Sequence, residues 1–233
     1  MMNLAVIPAR GGSKRIPRKN IRDFCGKPII AYSIELALQS GLFDEVMVST
    51  DDDEIAEISK KYGAKVPFMR STKTADDFAT TADVLFGVVS EYHARQFFPK
   101  YLCCLYPTAP LVSLDSLMAA FNKLLQNKDI DIILPVVRFS FPIQRALRFQ
   151  EEKISFFNPE YILTRSQDLE SAYHDAGQFY WARVKTFMER KSLFSEKTSG
   201  IVLSDYQVQD IDNISDWGLA ELKYRLLYQT KNT

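Results

Sequence analysis

Cysteine is scarce in this 233-residue chain, which has only Cys25, Cys103 and Cys104. An odd count, with two of the three adjacent in an apolar stretch, argues against a disulfide framework and suits small core residues. No Cys-x-x-Cys or Cys/His spacing occurs, so a thiolate metal centre is disfavoured too. Histidine is scarcer still, with only His93 and His174. Neither sign of charge is in excess, because Lys+Arg and Asp+Glu both total 29. A surface-wide attraction to nucleic acid or anionic membranes is therefore not expected, and any anion must be held by local clustering. Long apolar runs are missing as well, and none approaches bilayer length. The short apolar stretch from Leu4 to Ala9 precedes the first basic residue, Arg10, which reverses the order of a secretory signal and implies a cytoplasmic protein. Internal repeats and low-complexity linkers are absent. What is abundant is apolar side chain, 46% of residues, enough for one large core carrying at most a smaller insertion.

Apolar runs alternate with helical periods through the first half of the chain. Asn3 to Pro8 reads as a buried strand, followed by a helix over 28–40 with Pro28 in its first turn and Gly41 at its exit. Glu45 to Thr50 is a second strand, and the spacing of Ile55, Ile58 and Tyr62 gives the next helix one apolar face. Asp51, Asp52 and Asp53 at its start fit an N-cap and first-turn acids that complement the helix dipole. A short strand ends near Phe68, and Asp76 to Thr81 reads as a polar connecting loop. Tyr101 to Leu105 is again a strand, Ser113 caps a helix, and Asp131 to Val137 is the next strand. This alternation predicts an α/β fold, a mostly parallel sheet flanked by helices, with ligands at the carboxyl ends of the strands. From 138 to 180 the pattern breaks, aromatic residues crowd in, and 145–149 with 153–157 read as a hairpin. We read 138–180 as an inserted arm, with 1–137 and 181–233 forming the main domain. A last helix from Ser215 presents Trp217, Ala220, Tyr224 and Leu227 on one side.

Directly after the first strand, residues 10–22 gather six cations: Arg10, Lys14, Arg15, Arg18, Lys19 and Arg22. Gly11, Gly12 and Ser13 let the backbone turn tightly and aim N–H groups at a ligand. Oriented donors together with several fixed cations are what a triphosphate requires. The spacing matches neither the P-loop nor the dinucleotide fingerprint, which counts against ATPase and dehydrogenase chemistry. Near the other end stands Asp210-Ile211-Asp212. On an extended strand this puts both carboxylates on one side and Ile211 toward the core. Such a pair of hard oxygens suits Mg²⁺ (or Mn²⁺), which completes its shell with water and phosphate. Asp216, in the first turn of the last helix, reads as a cap or dipole partner.

The segment IPARGGSKRIPRKNI, residues 7–21, resembles the opening signature of the CMP-sialic acid synthetase family, and the likeness extends over nearly the whole chain. The resemblance implies a Rossmann-like nucleotidyltransferase fold of the GT-A-like kind with a dimerisation arm. It also implies a reaction in which the anomeric hydroxyl of an acidic nine-carbon sugar attacks the α-phosphorus of CTP and pyrophosphate leaves. In that family the residues matching Arg10, Ser13, Lys14, Lys19 and Asn20 embrace the nucleotide, and the residue matching Arg70 meets the cytosine edge. Asp210 and Asp212 fall on its metal-binding aspartates and, with Lys14 and Lys19, would carry catalysis. Sugar contacts are implied for Thr81, Tyr106, Gln144, Arg165, Tyr173, His174 and Gln178, with Arg165 suited to a bidentate pair on the sugar carboxylate. Tyr106 stands where that family usually has Gln, and His174-Asp175-Ala176-Gly177 where many members have Arg-x-Asn-Gly. With FPIQRAL (141–147), TRSQDLE (164–170) and YHDAGQFYW (173–181), these departures look most like the pseudaminic acid cytidylyltransferase branch. That branch supplies CMP-pseudaminate for bacterial surface glycosylation, often of flagellin.

The partners implied are CTP, an acidic nine-carbon sugar and a second copy of the chain, with no nucleic acid and no membrane. Three other readings remain at this point. One is the same reaction on N-acetylneuraminic, legionaminic or eight-carbon Kdo acids. Another is a non-catalytic nucleotide-binding module, against which the joint presence of the basic loop and both aspartates counts. The third is nucleic-acid binding by residues 10–22, a run with no interleaved aromatics. No general base is identifiable from the sequence.

Overall fold

The computed structural model describes residues 2–70 and 79–229; Asp76 and Asp77 of the expected polar loop lie outside the described residues. Strand β1 (Asn3–Pro8) leads into two short strands, β2 (Asp23–Phe24) and β3 (Lys27–Pro28), and then helix α1 (Ile29–Gln39). Next come β4 (Glu45–Ser49), α2 (Asp53–Lys61), α3 (Thr81–Ala94), β5 (Tyr101–Leu105), α4 (Leu114–Gln126) and β6 (Ile132–Arg138). An excursion carries the hairpin β7 (Leu147–Gln150) and β8 (Lys153–Phe156). The chain then returns through β9 (Tyr173–Asp175), β10 (Phe179–Arg183), α5 (Val184–Arg190), β11 (Thr198–Leu203) and α6 (Ile214–Tyr228).

The inner strands of this sheet are largely apolar on both faces, and helices cover them on both sides. Its order is β11-β6-β10-β5-β1-β4, with β9 added on β6. β1 pairs parallel with β4 and β5, and β6 pairs parallel with β11, whereas β10 runs antiparallel between β5 and β6. Leu4, Ala5, Val6 and Ile7 of β1, between β5 and the edge strand β4, are fully buried. On one face the core takes Ile30 and Ile34 of α1, Ile55 of α2 and Leu117, Phe121 and Leu124 of α4. On the other it takes Leu85, Val88 and Val89 of α3 and Phe187 of α5. A third cluster joins Ile16 and Phe24 to Ile211, Trp217 and Ala220, so the basic loop and the acidic segment share one support.

Several local expectations are corrected. No strand forms at Phe68; the segment before it makes only an isolated bridge, Met47 to Lys65. Asp210 to Asp212 is not a strand but an irregular segment before α6, although the alternation holds, with Ile211 1% exposed between its two aspartates. Helix α6 starts one residue earlier than Ser215, capped by Asn213, whose side chain accepts from the Asp216 N–H. Asp216 answers by accepting from the backbone N–H of Asn213 and of Asp212, which completes a capping box. The arm is narrower than 138–180, because β9 and the start of β10 belong to the main sheet. Their antiparallel return is what sequence alternation alone did not register.

Candidate active site

The carboxyl ends of β1 and β5 and the amino end of antiparallel β10 meet at one edge of the sheet, since Phe179 is opposite Leu105. A cleft of about 800 Å³ opens there. Arg10, Ser13, Lys14, Arg15, Lys19 and Asn20 line it from the first loop, Tyr106 to Thr108 from the turn after β5, and Asp175, Gly177 and Tyr180 from β9 and β10. Asp210 completes the wall.

The loop is held by its neighbours rather than by its own glycine conformations. Gly11 has no positive φ. Its need for glycine is spatial, because a Cβ there would lie 2.6 Å from Oδ2 of Asp52. The Gly11 N–H donates to Oδ1 of Asp51 at 3.0 Å. Asp52 is also the N-cap of α2, accepting from the Ile55 N–H at 3.0 Å, and both of its oxygens accept from the Arg18 guanidinium. That hydrogen-bonded ion pair holds the Asp52 carboxyl below the usual carboxylate range. The aspartate cluster therefore caps its helix as expected and also fastens the basic loop. Asn20, buried at 7% exposure, donates to the Arg10 carbonyl at 2.9 Å and ties the loop's two ends together.

The six cations divide by task. Arg10, Lys14, Arg15 and Lys19 face the cleft, Arg18 binds Asp52 and Glu54, and Arg22 lies over the Trp217 ring at 5.4 Å. Lys19 reaches across to donate to the Ile211 carbonyl at 2.7 Å, between the two aspartates of the acidic segment. Burial pushes its ammonium below the ordinary lysine range, and Asp212 and Asp210 offset part of that shift. Asp212 is not on the cleft wall; it stands beside it, ion-paired with Arg15 at 2.7 Å.

No group of three or more His, Cys, Asp or Glu is arranged around a common metal position among the described residues. Asp210 and Asp212 nonetheless fit a hard divalent cation of the kind that takes a few carboxylate oxygens and fills its shell with water and substrate phosphate. Asp210 is exposed on the cleft, and the Asp212–Arg15 pair is solvent-exposed and readily exchanged.

The remaining residues implied by the resemblance are divided between the cleft and the arm. Tyr106 lines the cleft, and its hydroxyl is 3.3 Å from that of Thr81, the first residue of α3. Gln178 is buried behind it, giving its carbonyl to the Tyr106 N–H and its side-chain amide to the Gln207 carbonyl. Arg70 is half-buried against Ser49, donating to its hydroxyl and carbonyl, and lines a separate small cavity with Phe68, Val84 and Glu91. Burial lowers its pKa, which also responds to nearby Asp51 and Arg10. Gln144 and Arg165 lie in the arm, where Gln144 donates to the Glu170 carbonyl and Arg165 pairs with Asp168 at 2.8 Å. His174 and Tyr173 are exposed, and His174 packs edge-on to Phe139 rather than lining the cleft. Alternation along β9 turns Asp175, not His174, into the cleft. Asp175 and Tyr180 were not among the residues the sequence singled out for binding; the period-2 rule applied to β9 could have found the first.

Such an arrangement can hold a triphosphate on four cations and bring a carboxylate to its phosphates. Residues 4–212 match the family model described as cytidylyltransferase. The chain is 45% identical over 231 residues to pseudaminic acid cytidylyltransferase of Campylobacter jejuni, covering 99% of each. It is 35% identical to CMP-N,N'-diacetyllegionaminic acid synthase of Legionella pneumophila, covering 95% of each. The solved structure of CMP:2-keto-3-deoxy-manno-octonic acid synthetase complexed with CTP superposes with a TM-score of 0.69 at 18% identity, over 99% of this chain and 100% of that one, and shows the nucleotidyltransferase fold. On sequence along nearly its whole length, and on the architecture beneath it, this chain belongs to the cytidylyltransferase family.

Proposed function

We propose that this protein transfers the cytidylyl group of CTP to pseudaminic acid, forming CMP-pseudaminic acid and pyrophosphate. The observation that carries the nucleotide half is the convergence of Arg10, Lys14, Arg15 and Lys19 with Asp210 on one cleft at the ligand end of the sheet. The sugar half rests on the 45% identity, over nearly all of both chains, to an enzyme of that name.

In this reading the sugar's anomeric hydroxyl oxygen bonds to the α-phosphorus of CTP, its proton passing to solvent, while the bond to the β-phosphate oxygen breaks in line and pyrophosphate leaves. The residues contribute position and charge more than covalent chemistry. Arg10, Lys14 and Lys19 hold the triphosphate and offset the charge that grows on departing pyrophosphate. Lys19, bound to the Ile211 carbonyl, also keeps Asp210 and Asp212 beside the phosphates. Mg²⁺ or Mn²⁺ held by those two carboxylates would supply Lewis-acid polarisation of the α-phosphate and acidify the attacking hydroxyl. The enzyme would work in the cytoplasm as a homodimer, its arm packed on a second copy; apolar side chains of the arm stand in solvent in the single chain, Leu163 at 94% and Phe149 at 71% exposure.

A pyrophosphate-release assay with CTP and a panel of pseudaminic, N-acetylneuraminic, legionaminic and Kdo acids tests the sugar assignment. The highest kcat/KM should fall on pseudaminic acid; equal or better turnover of another member would reassign the substrate.

A further inference from the structure

One wall of the cleft carries no cation. It is built from Tyr106, Tyr180 and Asp175, backed by Thr81. Asp175 is fixed at both oxygens: Oδ1 accepts from the Gly177 N–H at 2.8 Å and Oδ2 accepts from the Tyr180 hydroxyl. Gly177 permits this turn because its φ is +62°, the left-handed region. The Tyr180 ring stands edge-on to the Tyr106 ring, with centroids 5.8 Å apart, and the Tyr106 hydroxyl is paired with Thr81. Burial pushes both phenols above the ordinary tyrosine range, so each remains a protonated donor.

A carboxylate at this position repels phosphate and repels the carboxylate of a sugar acid. Both anionic parts of the substrates must lie toward the cations, which leaves Asp175 facing an uncharged part. Both Asp175 oxygens act as hydrogen-bond acceptors, so that part must offer a donor. Tyr180 is 5% exposed and reaches Asp175 through its hydroxyl, so the apolar surface on this wall is the half-buried ring of Tyr106. A secondary amide bearing a small acyl group matches this pairing, its N–H directed to the carboxylate and its methyl to the Tyr106 ring. A sugar hydroxyl would use the acceptor but leave that ring without a partner.

We infer that Asp175, braced by Gly177 and Tyr180, is a specificity-determining residue that accepts the N–H of an acylamino group on the sugar acid. This rests on the reading of the protein as a cytidylyltransferase acting on such acids. It assigns a role to the position next to His174 that neither the basic loop nor the acidic segment requires.

The test is Asp175→Asn in the full chain, with steady-state constants for CTP and for the acylamino sugar acid the wild type turns over, and with CTP affinity measured by calorimetry without sugar. Losing a charge-assisted acceptor should raise the sugar KM by about 10- to 100-fold while leaving CTP affinity unchanged. An unchanged sugar KM would overturn the inference. So would an equal loss of CTP affinity, which would place the cytosine amino group at Asp175. A fall in kcat alone, with loss of the acid limb of the pH profile, would overturn it in favour of proton transfer. Should Asp175→Asn fail to fold, Tyr180→Phe decides: it removes only the hydroxyl that braces Asp175. It should raise the sugar KM by a smaller factor at unchanged CTP affinity, and no rise would contradict the inference. If the wild type turns over no acylamino sugar acid, the functional reading itself fails, a result distinct from a wild type and variant that behave alike.

Discussion

Lys19 links the basic loop to the acidic segment through one side chain. Its ammonium is half-buried, hydrogen-bonded to the Ile211 carbonyl, and flanked by the two aspartates that would hold a metal. Burial lowers its pKa, so the positive charge is present below that pKa and is lost as pH rises through it. Because the pKa lies below the ordinary lysine range, kcat/KM for CTP should begin to fall at a lower alkaline pH than an exposed lysine would dictate. Lys19→Arg keeps the charge at any accessible pH, since guanidinium does not titrate there. That variant should lose the alkaline limb even if its overall rate is reduced; an unmoved limb would assign it to another group. Gly11 makes a complementary point, because its requirement for glycine is the carboxylate of Asp52 and not a backbone dihedral. The motif was legible in the sequence, but this reason for it was not, since Asp52 is far away along the chain.

Elements explain why some site residues could be read from the sequence and others could not. The basic loop follows β1 directly, so its position at the strand's carboxyl end follows from local order alone. Likewise Ile211 alternates with its neighbours even without a strand, and its burial was legible from pattern. Asp175 and Tyr180 reach the cleft only because β9 and β10 return antiparallel beside β6 and β5, a pairing no local period encodes. The arm is the other element whose role depends on what it meets. A two-stranded hairpin such as β7–β8 is marginal by itself. Its strands are exposed along nearly their whole length, and Phe149, Ile154, Phe157 and Leu163 face solvent in the single chain. Gln144 and Arg165 sit on this same arm, away from their own chain's cleft. Sedimentation should find a dimer, and Phe149→Asp with Leu163→Asp should convert it to monomer; a wild-type monomer at micromolar concentration would show that the arm does not join two copies.

At the scale of the whole molecule, the sheet brings together two segments that lie at opposite ends of the sequence. Ile16 and Phe24 of the basic loop region and Ile211 and Trp217 of the acidic region share a core, which fixes the cations against Asp210 and Asp212. Among the described residues no helix is long and apolar enough to cross a membrane. With no net charge on the chain, the cations gathered on the cleft are the local cluster suited to holding anions. This joined cleft is expected to transfer a cytidylyl group with the help of the acidic pair. The most direct measurement follows CMP-sugar and pyrophosphate together from CTP, pseudaminic acid and Mg²⁺, for wild type and Asp212→Asn at matched thermal stability. The exposed Asp212–Arg15 pair should contribute only about 0–1 kcal/mol to folding, so the variant should stay folded. Wild type should form both products in equal amounts, and Asp212→Asn should lower turnover by roughly 100-fold or more. Wild-type turnover in the variant, or pyrophosphate released with no CMP-sugar formed, would contradict it.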